Sequence, residues 1–141
     1  MKSPRRLLLL VVLGLSPLTG CSAKPYEGKP RIPISGKVTY DGRPIDGGTI
    51  SFIPADGSNR VSGGPLIQGA YQVPEEKGAN EGEYRVEVRW PRPTGKKYKD
   101  PDTLETYNEQ KESMPKKYNT QSELTASVTE TKNQFDFDLK P

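Results

Sequence analysis

Apolar and polar residues alternate through most of the chain beyond position 33, and a period of two predicts strands with one buried face. Ile34 to Tyr40 (ISGKVTY) puts Ile34, Val38 and Tyr40 on one face, with Gly36 between them, and Ser35, Lys37 and Thr39 on the other. Asp41-Gly42 then predicts a tight turn, because glycine accepts positive φ. Thr49 to Pro54 (TISFIP) repeats the pattern with Ile50 and Phe52, and Pro54 closes it. Asp56 to Gly64 reads as a polar loop. Pro65 to Ile67 and Ala70 to Val73, joined by Gln68-Gly69, predict a short hairpin with Tyr71 and Val73 inward. Glu75 to Gly82 reads as loop again. Glu83 to Trp90 (EYRVEVRW) is the cleanest strand, with Tyr84, Val86, Val88 and Trp90 pointing one way. Leu124, Ala126 and Val128 form the next inward set. After a polar turn at Glu130 to Asn133, Gln134 to Lys140 (QFDFDLK) supplies Phe135, Phe137 and Leu139 inward, with Asp136 and Asp138 outward.

Pro91 to Met114 has no sustained period and is rich in charge and turn residues. It is expected to be a loop, and loops longer than about 15 residues are usually functional or mobile. About six or seven short strands and no helix predict an all-β antiparallel sandwich over residues 34–141.

The start of the chain has a different pattern. Lys2, Arg5 and Arg6 precede a continuous apolar run from Leu7 to Leu15. That run is too short to span a bilayer, which takes about 20 apolar residues. A positive start, a short apolar run and small residues after it predict a cleaved signal peptide over residues 1–20. Leu18-Thr19-Gly20-Cys21 resembles the lipobox of bacterial lipoproteins. The resemblance implies cleavage before Cys21 and acyl chains, of the palmitate kind, on Cys21 itself. Two or more buried chains anchor a protein stably where one is marginal. Ser22 follows Cys21 where the inner-membrane retention signal would have Asp, so the resemblance implies a cell-envelope protein anchored in the outer rather than the inner membrane. Residues 21–33 carry Pro25, Pro30, Pro33 and Gly28 and predict an extended tether. At about 3.1 Å per residue it would lift the domain roughly 35 Å from the lipid.

Charge changes the picture once the leader is set aside. The chain has 21 basic and 18 acidic residues, and Lys2, Arg5 and Arg6 are the only charged residues before Cys21. The remainder is balanced, which argues against a nucleic-acid partner, since that needs clustered excess Lys and Arg. There is no histidine, and Cys21 is the single cysteine. Ser-His-Asp and Cys-His catalysis, His/Cys zinc sites and an intramolecular disulfide are thereby excluded. No cofactor is expected.

Gly36 to Ile50 reads as G-x-V-x-x-D-G-x-P-[LI]-x-G-[GA]-x-[IV]. Gly69-Ala70-Tyr71-Gln72-Val73 and Gly82-Glu83-Tyr84-Arg85-Val86-Glu87-Val88 add two further glycine–tyrosine strands. Together these resemble carboxypeptidase regulatory-like domains, which implies a seven-stranded transthyretin-like (Ig-like) sandwich of a kind rarely catalytic by itself. Pro115-Lys116-Lys117-Tyr118-Asn119 and Ser122-Glu123-Leu124-Thr125 are similar to segments of small bacterial envelope lipoproteins.

The candidate chemistry is sparse. Asp100, Asp102 and Glu105 cluster in the long segment but do not follow an EF-hand spacing, and a solvated loop without metal is the expectation. Asp136 and Asp138 suit the wet face of an edge strand better than acid–base work. Lys37, Glu87 and Asn133 occupy places loosely similar to the isopeptide bond of surface adhesins, yet alternation turns Lys37 and Glu87 outward. Trp90, Tyr98, Tyr107 and Tyr118 flank or lie in the long segment and make a candidate binding face for an envelope protein or glycan. The expected role is a non-enzymatic interaction or structural module. The alternatives are a binder of carbohydrate or another small ligand at the membrane surface and, further off, a hydrolase that needs neither His nor Cys.

Overall fold

The computed structural model describes residues 28–57 and 60–141. The expected signal peptide, with its expected cleavage motif at Leu18, Thr19 and Gly20, the expected lipidation site Cys21 and the first part of the expected tether lie outside the described residues.

Strand β1 (Ile34–Tyr40) buries Ile34 and Val38, as its alternation predicts. Asp41 (φ 51°) and Gly42 (φ 74°) reverse the chain into β2 (Arg43–Pro44), with Tyr40 opposite Arg43. Two successive positive φ angles make the primed turn whose twist matches antiparallel strands. Gln68 (φ 51°) and Gly69 (φ 78°) repeat the device between Ile67 and Ala70. The remaining strands are β3 (Thr49–Pro54), β4 (Ser62–Pro65), β5 (Ala70–Val73), β6 (Gly82–Arg89), β7 (Pro91–Lys99), β8 (Thr106–Glu112), β9 (Thr125–Val128) and β10 (Phe137–Leu139). Short 3-10 turns at Glu75–Lys77 and Lys116–Tyr118 interrupt them.

One antiparallel sheet runs β4-β3-β6-β9. In the second, β1 is flanked by β10 on one side and by β2 and β5 on the other. The two sheets bury one common core. Phe52 of the first sheet joins it to the second: its ring centroid lies 6.0 Å from those of Tyr71 and Phe135, and 6.4 Å from that of Tyr84. Fully buried residues such as Phe52, Val86 and Ile50 each contribute about 1.5–3 kcal/mol by leaving water. The buried Tyr71 hydroxyl donates to the Phe135 carbonyl at 2.7 Å and so spans β5 and the approach to β10. Gly36 leaves the room for that approach, because a Cβ there would sit 1.8 Å from the Phe135 oxygen.

The structure departs from the sequence expectation at several places. β4 begins at Ser62, inside the expected Asp56 to Gly64 loop, and pairs with β3 while β5 pairs with β1, so the expected hairpin is reduced to the Ile67–Ala70 bridge. Ten strands in three sheets replace the expected six or seven. Pro91 to Met114 is not a loop: β7 and β8 pair as an antiparallel ribbon, joined to neither larger sheet and exposed along its strands. Neither side of it is buried, so apolar residues have no reason to alternate along it. β10 pairs with β1 in parallel, Val38 opposite Phe137 and Tyr40 opposite Leu139, where an antiparallel arrangement was expected throughout. The end of the tether belongs to the fold as well. Ile32 is buried and bridges Ala79, and the Asn80 amide donates to the carbonyls of Lys29 and Pro30.

These pairings define two poles. Ile32, Ala79, Gly82 and Val128 meet where the chain enters. Tyr40, Arg89 and Leu139 lie at the other end of their strands, about 25 Å away along the eight residues of β6. The ribbon leaves the two-sheet body at this far pole.

Candidate functional site

The far pole is built around Trp90, the residue that ends the inward set of β6. Its approach to β3 depends on Gly48 (φ 116°), where a Cβ would meet the Arg89 carbonyl oxygen at 2.1 Å. Half-buried, the indole packs against Tyr40 with ring centroids 5.8 Å apart. Its Nε1 donates to Asp46 Oδ1 at 2.6 Å. The guanidinium carbon of Arg92 lies 5.0 Å from the ring centre on its face, a cation–π contact. With Arg43 opposite, these residues line a shallow cleft of about 390 Å³. A larger hollow, about 700 Å³, lies at the entry pole beside Arg31, Arg60 and Glu75.

Glu112 closes the base of the ribbon. Its Oε1 accepts the backbone amides of Trp90 at 2.9 Å and Met114 at 2.8 Å, and Ser113 N donates to Trp90 O at 3.0 Å. Beyond this clamp Arg92 pairs with Lys111, and Tyr98 with Tyr107. A register shift between Pro93 and Lys97 adds two residues to β7 without changing faces, so both pairs lie on the same face of the ribbon. Tyr98 is 57% exposed and Tyr107 49%.

The four aromatic residues expected to form one binding face are therefore divided. Trp90 lines the cleft. Tyr98 and Tyr107 stand side by side on the ribbon and do not cover the core. Tyr118 packs half-buried against the core, accepting Lys140 N on its hydroxyl at 3.0 Å, with the Lys117 ammonium 5.1 Å from its ring centre. The PKKYN segment fastens the chain on its return from the ribbon. Buried Asn119 donates from Nδ2 to the Met114 carbonyl at 3.0 Å, and the buried Ser122 hydroxyl donates to the Val86 carbonyl. Tyr40, Asp46, Arg92 and Glu112 were not anticipated as site residues. Tyr40 and Trp90 both close the inward set of their strands, and that shared end position is the sequence signal for the contact between their rings.

The acidic candidates serve the backbone. Asp100 Oδ1 accepts the amides of Asp102 at 2.8 Å and Thr103 at 3.0 Å, and those hydrogen bonds hold its pKa below the usual carboxylate value. Glu105 accepts the Tyr107 hydroxyl. Among the described residues no group of three or more acidic, His or Cys side chains is placed to hold a metal. Asp136 and Asp138 stitch the last segment to β1: Asp136 accepts Lys37 N at 2.8 Å and Asp138 accepts the Thr39 hydroxyl at 2.7 Å. Asp138 also pairs with Lys140 at 2.8 Å, and these contacts, Lys140 first, lower its pKa. Lys37 is exposed on β1, whereas Glu87 sits in the other sheet between Arg85 and Arg89. No isopeptide arrangement is formed.

The chain matches no family model, no curated protein and no solved structure.

Proposed function

We propose that this chain is a lipid-anchored protein of the cell envelope, outer membrane preferred, whose β domain is a non-catalytic interaction module of the carboxypeptidase regulatory-like, transthyretin-like kind. Setting aside the two-residue β2 and the β7–β8 ribbon as additions, the strands that remain are β1, β3, β4, β5, β6, β9 and β10. That number supports the seven-stranded reading, as do the glycine–tyrosine strands that carry the resemblance.

The observation that carries the proposal is the polarity of the domain. The chain enters at the pole of Ile32 and Ala79, and the ribbon and the Trp90 cleft stand at the opposite pole. An anchor on Cys21 would therefore leave the ribbon facing away from the lipid. Support for a non-catalytic role comes from chemistry already spent: Asp46 holds the Trp90 indole, Glu112 holds the ribbon base, and no histidine is present to relay a proton.

The test is the intact mass of the full-length gene product extracted from bacterial membranes with detergent. A polypeptide beginning at Cys21 and carrying acyl chains is expected, with Cys21→Ser left unprocessed and unlipidated. A soluble, lipid-free protein with another N-terminus would sink the anchored reading.

A further inference from the structure

The two edges of the ribbon are not alike. Asp100 N donates to Glu105 O at 2.9 Å and Ser113 N to Trp90 O at 3.0 Å, so the odd-numbered residues of β8 turn their backbone groups toward β7. The even-numbered ones, Thr106, Asn108, Gln110 and Glu112, turn theirs outward, where no backbone partner stands among the described residues. On β7 the outward positions near the base are Pro91 and Pro93, which have no amide hydrogen, and the register shift between Pro93 and Lys97 interrupts the edge beyond them. Prolines and bulges are devices that keep an edge from pairing. β8 (TYNEQKE) has no proline, and the extra residues of the bulge lie on β7. One edge is closed to a further strand and the other is open. A two-stranded ribbon is marginal in water, and another strand on β8 would steady it.

Charge selects the occupant. The open edge carries Glu105, Glu109, Lys111 and Glu112, so it favours neither sign and fits a strand with the same mixture in the opposite order. β8 of a second copy, run antiparallel about a twofold axis, is such a strand. An axis at Glu109 or at Lys111 sets like charges against each other, and one at Tyr107 sets Glu105 against Glu109; like charges directly opposite destabilise a strand pair. An axis at Gln110 sets Glu109 against Lys111 but brings Thr106 level with Met114, so the ribbon tip runs into the body of the second copy. With Asn108 on the axis, Glu105 faces Lys111 of the second copy at both ends, and Leu104 is level with Glu112 at the base of the second ribbon. The outward groups of Thr106, Asn108 and Gln110 are then all paired. This register also answers a charge the single copy leaves unmet. Lys111 stands opposite Arg92, and neither is ion-paired among the described residues; Glu105 of the second copy supplies the missing carboxylate.

We infer that β8 pairs with β8 of a second copy, antiparallel about Asn108, and joins the two ribbons into one sheet. This rests on the interaction-module reading, whose partner it names, and is independent of the lipid anchor. The whole mature protein is sedimented in density-matched detergent across a dilution series. A monomer–dimer equilibrium is expected with no larger species, because a twofold contact closes on itself and the β7 edges are blocked. Glu105→Lys alone and Lys111→Glu alone should each weaken the dimer roughly tenfold or more, since both symmetry-related pairs turn from attractive to repulsive. Lys111→Glu sets an opposite charge against Arg92 and should firm its own ribbon, so its monomer is not a ribbon come apart. Mixed in equal amounts, the two variants should dimerise again, because each carries the charge the other lacks. Asn108→Cys should oxidise to a covalent dimer, its Cα atoms being about 5.5 Å apart across the axis, while Gln110→Cys, which faces Thr106, should not; unsubstituted protein is the control for Cys21. A chain that stays monomeric, open-ended growth, single variants that dimerise like wild type, a mixture that stays monomeric, or a covalent dimer through Gln110→Cys instead would each overturn the inference. The intact mass of the same sample decides the anchor separately, whichever way the sedimentation falls.

Discussion

Trp90 and Glu112 meet at 2.9 Å, backbone amide to carboxylate, at the point where the ribbon leaves the two-sheet body. The same carboxylate oxygen takes the Met114 amide, so one side chain satisfies a donor on each side of the junction. Glu112→Ala removes both acceptors. At about 1 kcal/mol per hydrogen bond, amide exchange at Trp90 and Met114 should quicken roughly fivefold, with less change in Glu112→Gln. Unchanged exchange in the alanine variant would show that the clamp does not hold the junction.

Excising the ribbon should leave the body folded. Its strands pair only with each other, so replacing residues 93–110 with Asn-Gly, a two-residue turn sequence, should shift the melting temperature by no more than about 4 °C, the scale of a 1 kcal/mol change. Cooperative unfolding lost altogether would mean that the ribbon supports the body.

Two glycines should respond differently to alanine. At Gly36 the added carbon would collide with the Phe135 carbonyl, a backbone obstacle that cannot swing aside, and about 3 kcal/mol of stability should be lost. At Gly42 the space is open but φ is 74°, so the cost should be the left-handed penalty, about 1 kcal/mol. Denaturant titration of the two variants checks the order, and a Gly42→Ala loss equal to or above that of Gly36→Ala would contradict it.

Tyr71 ties stability to alkaline pH. Burial, helped by the nearby Asp136 charge, pushes its pKa up. The folded protein therefore keeps the proton while the unfolded chain loses it near pH 10. A pKa raised on folding contributes stability that is complete below the unfolded value and fades as pH rises through it toward the folded one. Tyr71→Phe should be less stable at pH 7 by about 1–3 kcal/mol, since the Phe135 carbonyl loses its donor. Its decline above pH 10 should be shallower than that of the wild type; parallel decline would refute the assignment.

Asp138 acts at the other end of the scale. Lys140 and Thr39 lower its pKa. Its contribution is present above the unfolded carboxylate value, near 3.9, and is lost as pH falls through the folded one. Asp138→Asn should melt slightly below wild type at pH 7, and the two curves should converge in acid. A gap that persists at pH 2 would point to shape rather than charge.

What the sequence reveals depends on where water is excluded. β1, β3 and β6 each bury one face, so Ile34 and Val38, Ile50 and Phe52, and Tyr84, Val86 and Val88 write a period of two into the chain. The ribbon has water on both faces, and Tyr98 and Tyr107 could be named as exposed aromatics without any sign that they pair. Ile32 was hidden for another reason: one buried residue between Pro30 and Pro33 has no period. The Trp90–Asp46 bond spans 44 residues of sequence, and an inward set that ends in tryptophan does not say which carboxylate waits for its N–H. Parallel and antiparallel neighbours impose the same alternation, so the partner and direction of β10 were equally invisible.

That direction has a mechanical consequence. Because β10 lies parallel to β1, with Tyr40 beside Leu139, the two ends of the domain leave from opposite poles. Tension applied between the N-terminal end and the C-terminus pulls these neighbours past each other along their length. The Lys37–Asp136 and Thr39–Asp138 bonds and the backbone bonds between them then carry load together in shear, rather than parting one at a time. A domain stretched in this way resists force as a lap joint does, at the seam between its first strand and its last.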